Sequence, residues 1–82
     1  MADRIVQQRL GRAVRQIRVS RGLTQEQVSA ASGLHPTYIS DIERGARNPS
    51  WDVIARLASG IGVTTADIGE RFDEEPPADG EA

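Results

Sequence analysis

The chain has 82 residues, which is the size of one small domain and too short for a catalytic barrel or a dinucleotide-binding enzyme. It has no cysteine and a single histidine, His35, so it can build neither a disulfide framework, nor a thiolate metal site, nor a histidine cluster. No apolar stretch approaches the ~18 residues of a membrane span, and the N-terminus lacks an apolar signal core. The sequence therefore predicts a small cytoplasmic protein that does not enter a membrane.

The formal net charge of −2 hides two opposite charge blocks. The first 22 residues hold six arginines and one aspartate, whereas residues 73–82 hold five acidic residues and no basic one. All ten basic residues are arginines, and none follows Arg71. This segregation indicates a basic working surface and an acidic tail, although arginines that merely solvate a helix face would give the same charge pattern.

The first two predicted helices are marked by their apolar spacing and their end signals. Residues 3–21 carry apolar side chains in one stripe, and Gly22 supplies the left-handed stop. Thr24 can cap a second helix that ends at about Ser32, and Gln27, three residues on, completes a capping box. The inward-facing residues of these helices are Val6, Leu10, Ala13, Val14, Ile17, Val28 and Ala31.

Three further helices follow. A third begins at Pro36, because a first helical position needs no N–H donor, and runs to Arg44. Ser50 can cap a fourth helix, and a short fifth helix begins at Thr64 with Asp67 three residues later. The inward-facing residues of these helices are Ile39, Ile42, Val53, Ile54, Leu57, Ala58 and Ile68.

Residues 73–82 contain only Asp, Glu, Pro, Ala and Gly. Such a segment cannot bury enough apolar surface to offset the entropy of ordering it, so we expect a disordered acidic tail. Residues 1–72 show no strand-like alternation. The predicted fold class is therefore all-α: one domain of five short helices over residues 1–72, followed by the tail.

The second and third helices, joined by a tight turn that contains a glycine, form a helix-turn-helix candidate. Apolar residues such as Val28 and Ile39 would hold the pair against the first and fourth helices, which leaves short or compact side chains on the outer face of the third helix. The major groove of B-DNA admits one helix, and such side chains near the helix N-terminus suit base reading. The candidate base-reading residues are Pro36, Thr37, Ser40 and Asp41.

Polar residues surround that face at positions suited to the DNA backbone, because phosphates bind at helix N-termini and to basic side chains. The candidate phosphate-binding residues are Thr24, Gln25, Tyr38, Arg44, Arg47 and Asn48. A plain helical bundle has the same spacing, so this pattern alone leaves both interpretations open.

Residues 22–50 closely resemble the phage Cro/C1-type (XRE) helix-turn-helix family. The resemblance is carried by the motifs LTQE (23–26), YISDIERG (38–45), RNPS (47–50) and GVT (62–64), and it extends over about residues 10–68. The chain length and the phrasing LH (34–35) followed by YIS (38–40) are especially similar to the small controller proteins of restriction–modification systems.

The resemblance implies a lambda-repressor-like fold and a sequence-specific, DNA-binding transcriptional regulator. Residues 36–44 would be the recognition helix in the major groove, and Arg18 and Glu43 stand where many members have an internal ion pair. Two residues depart from the family pattern. Pro36 replaces a long polar side chain and offers only apolar contact, whereas Asp41 would accept from cytosine N4 and repel phosphates.

A homodimer would double the few base contacts of one module and match a pseudo-palindromic operator with half-sites ~34 Å apart. The predicted interface residues are Trp51, Ile61, Val63, Ile68 and Phe72, although in a monomer the last four would instead close the core.

The alternative function is that of an antitoxin or anti-regulator that binds a partner protein. An enzyme is not expected, because the sequence has no nucleophile–base pair, metal cluster or phosphate-binding loop. No cofactor or small-molecule ligand is predicted.

Overall fold

The computed structural model describes residues 2–76, and within them it contains five helices and no strand. The five predicted helices and the all-α fold class are confirmed, with ends shifted by one or two residues. The helices are α1 (Ala2–Ser20), α2 (Gln25–Ser32), α3 (Pro36–Glu43), α4 (Trp51–Ile61) and α5 (Thr65–Glu74).

The helix starts are fixed by the predicted caps. Thr24 accepts from the backbone N–H of Gln27, whose side chain accepts in return from the N–H of Thr24, so both halves of a capping box are present. Thr64 and Asp67 form the same reciprocal pair at α5, and Ser50 caps α4 through Val53 N–H. These local bonds satisfy donors that would otherwise be left free at each helix start.

The core lies where α1 and α4 close over the α2–α3 pair. α2 packs mainly against α4, and α1 packs against both α3 and α5. Two predicted inward-facing residues are exposed instead, because Val6 and Ala31 lie at the edges of their stripes. The buried apolar residues are Ala13, Val14, Val28, Ile39, Ile42, Leu57, Ala58, Ile61 and Ile68.

Glycine allows α1 to approach the end of α3 closely. A Cβ added at Gly11 would lie 2.6 Å from the carbonyl oxygen of Glu43, and one added at Gly45 would lie 2.8 Å from the Cα of Gln8. Gly45 also has a φ of +77°, a backbone conformation that residues with a side chain rarely adopt. The two glycines therefore fix how the last turn of α3 sits on α1.

One sequence expectation is wrong at the C-terminal side. The ordered domain was expected to end at residue 72, but Asp73 and Glu74 belong to α5 and Glu75 is buried. The rest of the predicted tail, residues 77–82, lies outside the described residues. Ile61 and Ile68 are only 4% and 2% exposed, so in a single chain both close the core, which is the alternative that the sequence left open for a monomer.

Among residues 2–76, no helix combines the length and the apolarity needed to span a bilayer.

Candidate nucleic-acid interface

The turn between α2 and α3 aims the start of α3 outward. Gly33 ends α2 in the left-handed conformation, and His35 caps α3 by accepting from the N–H of Thr37 through Nδ1 at 3.1 Å. Pro36 occupies the first helical position, as the sequence predicted. The first turn of α3 is thereby capped at the surface, and the positive end of its helix dipole favours an anion there.

The outer face of α3 is open, whereas its inner face is buried. Ile39 and Ile42 are buried in the core, and Thr37 on the opposite side is exposed. Pro36 and Ser40 are partly exposed beside it. Three of the four predicted base-reading residues therefore share one accessible face, where short side chains let a helix backbone approach base edges.

An ion pair under this face ties α1 to α3. The Arg18 guanidinium donates from Nε to Glu43 Oε2 at 2.6 Å and from NH2 to Oε1 at 2.9 Å, and the side chains are 11% and 3% exposed. A third bond runs from NH1 to the Leu23 carbonyl at 2.7 Å. Hydrogen bonding to Glu43 is the main cause that raises the pKa of Arg18 above its ordinary value.

Gln25, predicted to bind phosphate, contributes to the same network. Its Nε2 donates to Glu43 Oε1 at 3.0 Å, so part of its hydrogen-bonding capacity is used inside the protein. Thr24 remains exposed at the N-cap of α2. A phosphate contact from either residue stays a prediction.

The chain turns back on itself after α3. The N–H of Ala46 donates to the Asp41 carbonyl at 2.8 Å, and the N–H of Gly45 donates to the Ile42 carbonyl at 3.0 Å. This pair of bonds, with Gly45 in the left-handed conformation, is a Schellman motif. The motif returns Arg47 to the side of the last turn of α3.

Two arginines that we call the loop arginines, Arg44 and Arg47, stand at this return. They are 64% and 57% exposed, and both face the Asp41 carboxylate, which is 18% exposed. Arg44 NH2 binds Oδ1, and Arg47 Nε lies 3.5 Å from Oδ2. The Arg47 guanidinium also lies over the Tyr38 ring at 5.1 Å. These arginines place positive charge at the C-terminal end of α3, and Asn48, the residue after Arg47, is also exposed.

Three arginines of α1, which we call the clamp arginines, bind the protein itself: Arg9, Arg12 and Arg18. Arg9 donates to the carbonyls of Phe72 and Asp73 at 2.9 and 3.1 Å, and Arg12 Nε donates to Glu75 Oε1 at 3.1 Å. Arg9 and Arg12 therefore do not merely solvate a helix face, which is the alternative that the charge pattern left open. They hold the C-terminal end of α5, where cations are favoured by the helix dipole.

Sequence reasoning missed Glu75. It is 5% exposed, and besides Arg12 it accepts from Arg71 NH2 at 2.6 Å. The Arg71–Glu75 spacing of four residues was a usable helical signal, whereas the Arg12–Glu75 contact joins residues 63 positions apart. Hydrogen bonding to Glu75 is the main cause that raises the pKa of Arg71.

The remaining predicted interface residues differ in exposure. Trp51, at the start of α4, is 68% exposed, whereas Val63 is partly buried against the core. Phe72 is also partly buried, and the Arg9 guanidinium covers its ring at 4.7 Å. Of the five predicted residues, Trp51 alone offers a large exposed apolar surface.

Within the described residues, no group of three or more histidine, aspartate or glutamate side chains is arranged to hold a metal ion.

Comparison with known proteins places the chain among small regulators. A family profile described as a helix-turn-helix domain matches residues 9–70. The control protein C.BamHI of Bacillus amyloliquefaciens is 48% identical over 59 residues, which cover 71% of this chain and 73% of the relative. The uncharacterised HTH-type transcriptional regulator y4dJ of Sinorhizobium fredii is 42% identical over 60 residues, covering 73% and 78%.

Solved structures of regulators also match this chain. The restriction–modification controller protein C.AhdI from Aeromonas hydrophila matches with a TM-score of 0.72 at 32% identity, covering 83% of this chain and 98% of that one. The clp gene regulator ClgR from Corynebacterium glutamicum matches with a TM-score of 0.79 at 29% identity, covering 84% and 90%. These matches confirm the predicted resemblance to Cro/C1-type regulators and controller proteins.

Proposed function

Because this chain belongs to the helix-turn-helix family of DNA-binding transcriptional regulators, we propose that it binds a pseudo-palindromic operator as a homodimer, with α3 of each protomer in the major groove. The open outer face of α3 supports this role most directly. Thr37 is exposed while Ile39 and Ile42 anchor the opposite side, so α3 can enter a groove without unpacking the core.

Base reading falls to the first two turns of α3. The Thr37 and Ser40 hydroxyls can donate to or accept from base edges, and Pro36 can contact a thymine methyl group. Short side chains let the helix backbone lie close to the bases. The rigid cap formed by His35 supports this arrangement, because it fixes the direction of these side chains before DNA arrives.

Phosphate contacts fix the position of α3 in the groove. The loop arginines carry the exposed positive charge nearest to α3, and Asn48 adds a neutral donor. Tyr38 lies under Arg47 and can orient its guanidinium while its own hydroxyl contacts the backbone. Thr24 and Gln25 lie at the positive end of α2, where anions bind.

The homodimer is supported by Trp51, whose side chain is 68% exposed, because aromatic residues are enriched at protein interfaces. Two copies would place two α3 helices in successive major grooves, about one helical turn (~34 Å) apart. We expect Trp51→Ala to shift the protein toward monomer in sedimentation velocity. An unchanged sedimentation coefficient would remove Trp51 from the interface.

A fluorescence anisotropy titration tests the DNA-binding role. Duplexes selected by the wild-type protein from a random pool are compared with random-sequence duplexes, for the wild type, Thr37→Ala and the control Thr65→Ala on α5. We expect Thr37→Ala to lose affinity for the selected duplex by about 1–3 kcal/mol and to retain affinity for random DNA. Equal loss on both duplexes would contradict the groove assignment.

The same titration distinguishes the DNA-binding role from the alternative function. A wild-type protein that binds no DNA even at low salt would favour an antitoxin or anti-regulator acting on a partner protein. We assign the chain no catalytic role, in keeping with matched relatives that are named as regulators and control proteins. As a regulator of transcription, it would work in the cytoplasm on chromosomal DNA.

A further inference from the structure

We propose that Asp41 is an affinity-limiting residue of the DNA interface, whose carboxylate competes with phosphates for the two loop arginines. This inference rests on the proposed DNA-binding function. It replaces the sequence prediction that Asp41 reads a base.

Each carboxylate oxygen of Asp41 faces one of the loop arginines. Oδ1 accepts from Arg44 one turn along α3, and Oδ2 faces Arg47 Nε at 3.5 Å. The second contact exists because the Schellman motif carries the chain back: the Ala46 N–H is bonded to the carbonyl of Asp41 itself. The backbone and the side chain of one residue thus hold the loop that carries both arginines.

Its ion-pair contacts separate Asp41 from the other base-reading candidates. Its side chain is 18% exposed and lies between two guanidinium groups, whereas Thr37 is open to solvent. A carboxylate that reads cytosine must turn a lone pair toward N4 on the groove floor. Both oxygens of Asp41 point instead toward the arginines at the C-terminal edge of α3.

The electrostatic consequence is independent of DNA sequence. When the loop arginines bind phosphates, the Arg44 hydrogen bond and the Arg47 ion-pair contact with Asp41 are lost, and an unpaired carboxylate faces the polyanion. The cluster of Asp41, Arg44 and Arg47 then delivers one net positive charge to the DNA rather than two. Since binding releases about 0.9 counterion for each phosphate neutralised, Asp41 lowers affinity for all sequences and flattens the salt dependence.

The test compares Asp41→Asn with the wild type on a random-sequence duplex and on a selected duplex, over a range of salt concentrations. Asparagine keeps the shape and removes the charge. We expect roughly five- to ten-fold tighter binding to both duplexes at about 0.1 M salt, and a log–log salt slope steeper by about one. The bases preferred in selection should stay the same.

Glu74→Gln is the matched control. It also removes one carboxylate charge from an ion pair with an arginine three residues away, which is Arg71. This pair lies on α5, which packs mainly against α1 and α4. Its salt slope should equal that of the wild type. Thermal unfolding of Asp41→Asn should match that of the wild type, because the backbone bonds of the Schellman motif do not need the carboxylate.

A double-mutant cycle shows whether Asp41 acts through the arginines. In a background with both Arg44→Ala and Arg47→Ala, the effect of Asp41→Asn should shrink to less than half. An undiminished effect would overturn the competition and leave simple repulsion of phosphates.

Other results also overturn the inference. Unchanged binding of Asp41→Asn would do so, as would weaker binding confined to the selected duplex with an altered base preference. A wild-type protein that fails to bind either duplex would instead contradict the proposed function itself.

Discussion

The clamp arginines and the loop arginines have the same side chain but different surroundings. Arg9, Arg12 and Arg18 donate to carbonyls and carboxylates of their own chain, whereas Arg44 and Arg47 remain more than half exposed beside α3. The sequence places six arginines in its first 22 residues, and this charge segregation suggests a basic working surface. Half of those arginines are engaged internally, so the number of charges does not measure how much charge is available to a partner.

The difference arises from what each arginine meets. The clamp arginines face fixed acceptors, namely the terminal carbonyls of α5 and the buried carboxylates of Glu43 and Glu75. The planar guanidinium with five donors suits such acceptors. Among residues 2–76, the loop arginines pair with one partly exposed carboxylate, that of Asp41, which the two arginines share. Phosphates can displace that partner.

Arg18→Ala should give the largest effect on stability. It leaves the Glu43 carboxylate, only 3% exposed, without its cation, so the free energy of unfolding should fall by about 3–5 kcal/mol in urea denaturation. Arg15→Ala, on an exposed position of the same helix, should change it by less than about 0.5 kcal/mol. Equal losses for the two variants would erase the distinction between clamp and solvated arginines.

Glu75→Gln should lower the free energy of unfolding by about 1–3 kcal/mol, because it removes the charge that both Arg12 and Arg71 bind. The loss is smaller than for Arg18 because Arg12 is 38% exposed and water screens the pair. Glu74→Gln, at the exposed neighbouring position, is the control and should be nearly neutral in the same urea experiment. A neutral Glu75→Gln would mean that residues 73–76 behave as the disordered tail that the sequence suggested.

The loop arginines should affect DNA and leave stability almost unchanged. Arg44→Ala or Arg47→Ala should weaken binding to selected and random duplexes alike and reduce the salt slope by about one, as measured by anisotropy. Arg12→Ala should leave the slope unaltered while lowering the unfolding midpoint. A reduced slope for Arg12→Ala would show that α1 also contacts phosphates.

The smallest expected effect concerns Asp67, which binds backbone rather than arginine. The hydrogen bond from the Thr64 N–H holds the pKa of Asp67 below its ordinary value of 3.8. A lowered folded-state pKa stabilises the fold above the unfolded value, and this contribution is lost as pH falls below about 3.8 through the folded pKa. The melting temperature should therefore fall more steeply between pH 5 and pH 2.5 for the wild type than for Asp67→Asn. Parallel declines would remove the charge of Asp67 from the α5 cap.

Local signals made the helices predictable, because Thr24, Ser50 and Thr64 form their caps within three residues. Contacts between distant parts of the chain were not predictable in this way. The Arg9–Phe72 contact spans 63 positions, so the residues around position 72 do not predict it, and the Arg71–Glu75 spacing was the local signal that α5 continues beyond Phe72.

The candidate site was predictable to a similar extent. The outer face of α3 followed from helical spacing, and the resemblance supplied the Arg18–Glu43 pair. An apolar residue on a helix does not reveal whether it faces its own core or a second copy, so the sequence left both roles open for Ile61 and Ile68, which are buried in the core of the chain. The role of Asp41 was hidden because the return of Arg47 depends on the Schellman motif at Gly45.

Amide chemical shifts recorded while the protein is titrated with a selected duplex test the central claim most directly. They report which of the two groups of arginines lies at the DNA. The largest changes should fall on residues 37–41 and 44–48, with little change around Arg9 and Arg12. Changes concentrated in α1, with the amides of α3 unaffected, would contradict the account.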